Sequence, residues 1–150
     1  MLNIVFVYTG NICRSPMAEG FLRYKWDGME RGALFVSSMG IHGVTDSPAT
    51  EYAQDVCKKN GFDISSHRAR SLVGEELLKA DLILCMEPAQ KKFVQVFFPW
   101  RRDRVALLGA WPNKETRKSA IEDPMGGSYK KYQKIFAIIK EHIERIIPLL

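Results

Sequence analysis

The residues best suited to chemistry lie near the start of the chain, in the stretch GNICRSP, residues 10–16. An apolar run at residues 2–7 precedes this stretch, and a helix-like pattern follows it. A loop between a buried strand and a helix can direct several backbone N–H groups at one point, where the helix dipole adds positive charge. Gly10 permits such a backbone, and Arg14 can bind two oxygens of a tetrahedral anion. We predict an oxyanion-binding loop; the alternative is an ordinary turn with Arg14 in solvent.

The elements that must position this loop follow from the pattern of apolar residues. Strands are predicted at residues 2–7, 33–37, 81–86 and 104–108. Helices are predicted from the N-cap Ser15, from the N-cap Ser47 to Gly61, and at residues 74–79, 88–97 and 128–147. Strands that alternate with helices indicate parallel βαβ units, with ligands at the carboxyl ends of the strands. We expect an α/β fold in one domain, residues 1–150.

Composition limits the classes of function. The chain has 150 residues, 46% of them hydrophobic, and a formal net charge of +5. Basic residues are dispersed apart from WRRDR at 100–104, which we interpret as solvated charge, with a nucleic-acid patch as the alternative. No apolar run approaches the roughly 18 residues of a membrane span, and the start is typical of a first strand rather than a signal peptide. Three scattered cysteines favour a cytoplasmic protein. We expect no cofactor, metal, nucleic-acid or membrane partner.

Four segments together resemble the low-molecular-weight protein tyrosine phosphatases. GNICRSPMAEG, residues 10–20, is similar to the family loop, in which a Cys is followed by five residues, an Arg and a Ser. SSHRAR at 65–70, ADLILCM at 80–86 and EDPMGG at 122–127 resemble three further family segments, in family order. The resemblance covers nearly the whole chain. It implies a four-stranded parallel sheet flanked by helices on both faces, which the alternating pattern supports independently.

The resemblance also assigns roles to individual residues. Tyr8 occupies the position of the family nucleophile, Arg14 that of the anion-binding arginine, and Asp123 that of the general acid. The implied phosphate-binding residues are Thr9, Gly10, Asn11, Ile12, Cys13, Arg14 and Ser15. The implied residues that hold the loop in shape are Asn11, Ser15, Ser38 and His67, with His67 bracing Asn11. The implied ligand is phosphate or another oxyanion, alone or on a phosphotyrosine protein.

Tyr8 puts the family's chemistry in question. A thiol in such a loop works because its pKa is lowered, so that it attacks as a thiolate. A phenol has a pKa of about 10, is bulkier, and carries its oxygen farther from the backbone. We predict an impaired or inactive member of the family. The alternatives are an active phosphatase whose parent carries Cys at position 8, and a non-enzymatic interaction module.

The other candidate groups do not replace the missing thiol. Cys13 is poorly placed for in-line attack, and a buried structural thiol is its alternative role; Cys57 and Cys85 are predicted in the core. Met125 stands where the family usually has an aromatic residue, and residues 40–46 lack the second one, which weakens the case for phosphotyrosine recognition. The Tyr8 ring must either fill the loop or turn outward, and the direction of the strand favours filling.

Overall fold

A four-stranded parallel sheet forms the centre of the protein. The structure, a computed structural model, describes residues 1–10, 12–42 and 45–150. The strands are β1 (Leu2–Tyr8), β2 (Leu34–Gly40), β3 (Leu82–Cys85) and β4 (Val105–Leu107). They are paired in the order β2-β1-β3-β4, with Phe6 of β1 opposite Ser38 of β2 and Leu84 of β3. The predicted α/β fold with four parallel strands is confirmed.

Within the described residues, five helices cover the two faces of this sheet. They are α1 (Arg14–Asp27), α2 (Glu51–Lys59), α3 (Gly74–Lys79), α4 (Pro88–Phe97) and α5 (Tyr129–Ile146). Two 3-10 segments, Pro99–Arg104 and Ile147–Leu149, follow α4 and α5. Among the described residues, no helix has both the length and the apolar character needed to cross a membrane.

The alternation of side chains along β1 divides the core into two layers. Ile4, Phe6 and Tyr8 pack into a core with buried residues of α1, α2 and α5. Val5 and Val7 point the other way and pack with buried residues of α3 and α4. Because both faces of the strand are covered, its sequence is a nearly continuous apolar run that only Asn3 interrupts, as is typical of parallel sheets.

Two helices begin at different residues from those predicted. The first helix starts at Arg14 with Cys13 as its N-cap, not at Pro16 with Ser15, because the Cys13 carbonyl already accepts the amide of Met17 at 3.2 Å. The second starts at Glu51 with Thr50 as its N-cap, not after Ser47.

Tertiary hydrogen bonds explain the late start of α2. The Ser47 carbonyl accepts from the amide of Ala69 at 2.7 Å, and the Thr50 amide donates to the carbonyl of Ile12 at 2.9 Å. Backbone groups before Glu51 therefore bond to other segments of the chain and are not used in hydrogen bonds within a helix. The bond from Thr50 to Ile12 also joins the residues before α2 to the loop between β1 and α1.

Candidate active site

The Tyr8 phenol stands inside the loop between β1 and α1. Its side chain, on a residue that is 2% exposed, points from the end of β1 towards the start of α1. The phenolic oxygen accepts hydrogen bonds from the backbone N–H of Ile12 at 2.5 Å and of Cys13 at 2.7 Å. A Cβ atom added at Gly10 would lie 3.5 Å from the same oxygen. The phenol thus takes the donors that an oxyanion would need, which is the filled arrangement favoured above.

Arg14 lies behind this phenol and is not in solvent. It is 1% exposed, pairs with the carboxylate of Glu87, and donates from Nη1 to the carbonyl of Ile121 at 2.6 Å. Its Nη2 lies 3.6 Å from Oδ2 of Asp123, and its guanidinium carbon lies 4.8 Å from the centre of the Tyr8 ring. A cation over an aromatic face is attracted by the ring quadrupole. The protein itself therefore supplies two acceptors to Nη1, whereas the buried Nε has no hydrogen-bond partner among the described residues.

Glu87 was not among the predicted site residues. It follows β3, the neighbour of β1, so its carboxylate reaches the same edge of the sheet as the loop. The buried Gln90 orders this turn: its Oε1 accepts from the amides of Met86 at 3.0 Å and Glu87 at 3.1 Å. Its Nε2 donates to Oγ1 of Thr9 at 3.2 Å. The sequence signal that could have drawn attention to Glu87 is an acidic residue directly after the predicted strand at residues 81–86, because ligands bind at the carboxyl ends of such strands.

Asp123 lies at the rim of the site, close to Arg14. Its Oδ1 accepts from the amide of Met125 at 3.0 Å, which fixes the turn after Pro124, and its side chain is 41% exposed. The carboxylate is thus accessible from solvent and adjacent to the phenol pocket. This position suits a group that exchanges protons with a ligand, provided that a ligand reaches the loop.

Cys13 is enclosed on the other side of the loop. Its Sγ lies 3.4 Å from the hydroxyl of Tyr132, 3.6 Å from that of Thr50, and 3.8 Å from Sδ of Met125. The residue is fully buried, and burial raises the pKa of its thiol. A buried, protonated thiol fits the structural role that was the alternative for Cys13, because a nucleophile would have to be a thiolate.

Burial also decides the protonation of Tyr8. Removal from water raises the pKa of the phenol well above its ordinary value, more than the hydrogen bonds from Ile12 and Cys13 lower it. The phenol is therefore neutral at neutral pH. It can accept from the two amides while its own proton remains in place.

The predicted bracing residues are placed as follows. Asn11 lies outside the described residues, so the predicted contact between His67 and Asn11 does too. Ser15 and Ser38 are buried and His67 is half-buried, and each of the three takes part in interactions within the protein. The exposed His42 donates its amide to the carbonyl of Thr9 at 2.9 Å.

The loop after β1 lies at the carboxyl ends of β1 and β3, with the buried Arg14 and the carboxylate of Asp123 beside it. This edge is where parallel α/β sheets place their functional sites. Residues 3–149 match the family model "Low molecular weight phosphotyrosine protein phosphatase", and the chain belongs to this family.

Relatives match nearly the whole length of the chain. A "Probable low molecular weight protein-tyrosine-phosphatase EpsP" from Ralstonia solanacearum is 36% identical over 145 residues, which are 97% of this chain and 93% of the relative. The crystal structure of a low molecular weight protein tyrosine phosphatase from T. tengcongensis is 34% identical, covers 100% of both chains and has a TM-score of 0.93. Wzb from Vibrio vulnificus, solved in complex with benzylphosphonate, is 27% identical, covers 99% of both chains and has a TM-score of 0.87.

Proposed function

We propose that this chain is a phosphatase-family protein that lacks the family's thiol chemistry and whose oxyanion loop is closed by its own Tyr8 side chain. The observation that carries this proposal is the phenolic oxygen at 2.5 Å and 2.7 Å from the amide nitrogens of Ile12 and Cys13. These two donors are committed to an intramolecular acceptor. The protein then acts by binding or regulation rather than by hydrolysis.

The groups around the loop support the loss of turnover. A neutral phenol with a raised pKa is a poor nucleophile, and its ring occupies the volume that a phosphoryl group would enter. Cys13 is buried and its pKa is raised. Arg14 is held by Glu87 and by the carbonyl of Ile121. No thiolate is therefore available at the loop, and the amides of Ile12 and Cys13 already have an acceptor in the Tyr8 phenol.

The scaffold for an oxyanion is nevertheless retained under the phenol. The loop amides, Arg14 and Asp123 do not depend on the side chain at position 8. We assign Thr9, Gly10, Asn11, Ile12, Cys13, Arg14 and Ser15 to this latent site, with Asn11, Ser15, Ser38 and His67 supporting its shape. A family member binds benzylphosphonate, which supports an oxyanion on an aromatic group as the ligand class.

The names of the relatives favour a second candidate, which is phosphotyrosine phosphatase activity in a chain with Cys at position 8. EpsP and the T. tengcongensis protein are both named as phosphatases of this class. On this view, the other residues of the site are competent for phosphatase activity, and only the Tyr8 side chain prevents it. This candidate and the proposal differ in one side chain, so one substitution separates them.

The test compares the unmodified chain with Tyr8→Cys and Tyr8→Ala. We expect background hydrolysis of an aryl phosphate by the unmodified chain and by Tyr8→Ala, and measurable turnover by Tyr8→Cys. Calorimetric titration with inorganic phosphate should show weak binding to the unmodified chain and restored binding to Tyr8→Ala. Tyr24→Ala, at an exposed position on α1, is the matched control.

Two results would overturn the proposal. One is robust turnover by the unmodified chain that Cys13→Ser abolishes, because Cys13 would then be the nucleophile. The other is tight phosphate binding to the unmodified chain that Tyr8→Ala leaves unchanged, because the phenol would then not close the loop.

A further inference from the structure

Gln90 is a buried amide that joins three parts of the site. The residue lies in the first turn of α4 and is 3% exposed. Its Oε1 accepts from the amides of Met86 and Glu87, directly after β3, and its Nε2 donates to Oγ1 of Thr9, directly after β1. One side chain therefore connects the loop after β1, the turn after β3 and the helix α4.

The capping of α4 accounts for only part of these bonds. Glu87 is the N-cap of α4, and a glutamine or glutamate three residues after an N-cap commonly accepts the N-cap amide. A glutamate would serve this purpose equally well. An ionised carboxylate, however, has no proton to donate to Thr9, and it would bring a second negative charge close to Glu87. The side-chain amide of Gln90 can accept from the turn and donate to the loop at the same time.

Glu87 connects Gln90 with the buried guanidinium of Arg14. Gln90 binds the backbone amide of Glu87, and the carboxylate of Glu87 pairs with Nη1 of Arg14. The second acceptor of Arg14, the carbonyl of Ile121, contacts Nη1 as well, at 2.6 Å. Because both acceptors contact Nη1, the position of Glu87 helps to set the direction in which the Nε–H of Arg14 points.

We propose that Gln90 is a positioning residue of the site, which fixes Thr9 at the start of the loop and Glu87 against Arg14. It acts through these neighbours. In one respect this role rests on the proposed function, since the loop that begins at Thr9 is there closed by the Tyr8 phenol. The link from Gln90 through Glu87 to Arg14 exists whether the loop is closed or open.

Two substitutions separate the link to Thr9 from the link to Glu87. Thr9→Val removes the acceptor of Gln90 Nε2 and leaves the Gln90 side chain intact. Gln90→Met keeps a side chain of similar length but removes both the donor and the acceptor. Gln95→Met is the matched control, because Gln95 lies on the same helix and its Nε2 donates to the carbonyl of Arg102 at 3.3 Å. Circular dichroism checks that each variant folds.

Hydrogen exchange followed by NMR measures the link to Thr9. The amides of Ile12 and Cys13, which donate to the Tyr8 phenol, should exchange about tenfold faster in Thr9→Val and in Gln90→Met, relative to the amides of the central strand β1. A residue that only stabilises the whole fold would accelerate both groups of amides equally. Adding Thr9→Val to Gln90→Met should bring no further increase, because the bond is already lost.

The Nε–H resonance of Arg14, assigned by its absence from Arg14→Lys, measures the link to Glu87. It should shift in Gln90→Met and keep its position in Thr9→Val and in Gln95→Met. Loop amides that accelerate no more than those of β1, or an Arg14 resonance that Gln90→Met leaves unchanged, would overturn the proposal.

The same data separate this role of Gln90 from the proposed function. Fast exchange of Ile12 and Cys13 already in the unmodified chain would contradict a loop closed by Tyr8, and the Arg14 resonance would then decide the role of Gln90. If Gln90→Met does not fold, Gln90→Glu replaces it, because a carboxylate still accepts from the turn after β3. Loop amides that exchange in Gln90→Glu as in the unmodified chain would then overturn the proposal.

Discussion

The Tyr8 hydroxyl pairs with two backbone N–H groups that an empty loop would leave without an acceptor. Buried amides without a partner are costly, and anion-binding loops expose several of them at one point. In this chain, the hydroxyl of Tyr8, at the end of β1, is the acceptor for these amides. The loop geometry is thus stabilised without a bound ligand.

Replacing Tyr8 by Phe tests this role directly. Tyr8→Phe keeps the ring but removes the oxygen, which leaves the amides of Ile12 and Cys13 unpaired in a buried site. We expect the free energy of unfolding to fall by about 1–3 kcal/mol in urea denaturation. Tyr24→Phe, at a 46% exposed position, should change it by less than about 0.5 kcal/mol. Equal stability of Tyr8→Phe and the unmodified chain would contradict the assigned hydrogen bonds.

The raised pKa of Tyr8 predicts a pH dependence of stability. Burial raises the pKa of Tyr8, and burial with a hydrogen bond to Cys13 raises that of Tyr132 to about 12. A phenol whose pKa is higher in the folded than in the unfolded state stabilises the fold fully below the unfolded value of about 10. This contribution is lost as the pH rises from there towards the folded-state pKa.

The measurement is the free energy of unfolding at a series of pH values above about 9. The unmodified chain should lose stability more steeply than Tyr8→Phe, because the variant has no phenol to ionise at this position. Other groups titrate in the same range in both proteins, so the difference between the two curves reports Tyr8. Parallel curves would show that the Tyr8 phenol ionises as readily in the folded as in the unfolded protein.

Replacing Glu87 should lower the stability of the protein, because this residue pairs with the buried Arg14. Glu87→Ala removes the charged partner of the buried Arg14 and leaves the guanidinium with the Ile121 carbonyl and the more distant Asp123. Removing one partner of a buried pair is strongly destabilising, but the Glu87 side chain is 40% exposed, so we expect a loss of only about 1–3 kcal/mol. Glu75→Ala, at an exposed acidic position on α3, should be nearly neutral. A neutral Glu87→Ala would mean that the pair contributes nothing to stability.

At the scale of secondary-structure elements, Gly20 determines how closely α1 approaches the segment after α2. A Cβ atom at Gly20 would lie 2.5 Å from Cγ2 of Ile64 and 3.1 Å from the ring of Phe62. The absence of a side chain at this position therefore allows the close packing. The same helix carries Arg14 in its first turn, so its placement also sets the geometry of the site.

Gly20→Ala separates packing from helix propensity. Alanine favours a helix by about 1 kcal/mol over glycine, but overpacking of a buried contact costs about 1–3 kcal/mol. We expect a net loss of stability of about 1 kcal/mol in urea denaturation. Gly32→Ala, where the added atom meets nothing within 4 Å, should show no such loss. A stabilised Gly20→Ala protein would show that Ile64 moves aside freely.

At the scale of the whole molecule, local sequence patterns predicted which segments form helices and strands. Contacts between segments that are distant in sequence determined where α2 begins and which residues meet at the site. The bounds of α3 and α4 match the prediction to the residue, because Gly74, Pro88 and the apolar spacing are local signals. The start of α2 was wrong because its backbone pairs with Ala69 and Ile12, which are distant in sequence. Glu87 was missed for the same reason, since its role depends on β3 lying beside β1.

The three cysteines give a test of the whole core. Cys13, Cys57 and Cys85 are free and fully buried, and burial raises the pKa of each thiol, that of Cys57 to about 12. Because the thiolate is the reactive form and none of the sulfurs is accessible, we expect no rapid reaction of the folded protein with a disulfide reagent. All three should react in denaturant.

The variants Cys13→Ser, Cys57→Ser and Cys85→Ser assign any thiol that reacts early. Modification of the folded chain should proceed only as fast as the protein opens, so its rate should fall when stability rises. Cys57 and Cys85 belong to the cores on the two faces of the sheet, so their rates report each layer separately. A Cys13 that reacts in the folded protein as fast as a free thiol would contradict its enclosure by Thr50, Met125 and Tyr132, and with it the closed state of the loop.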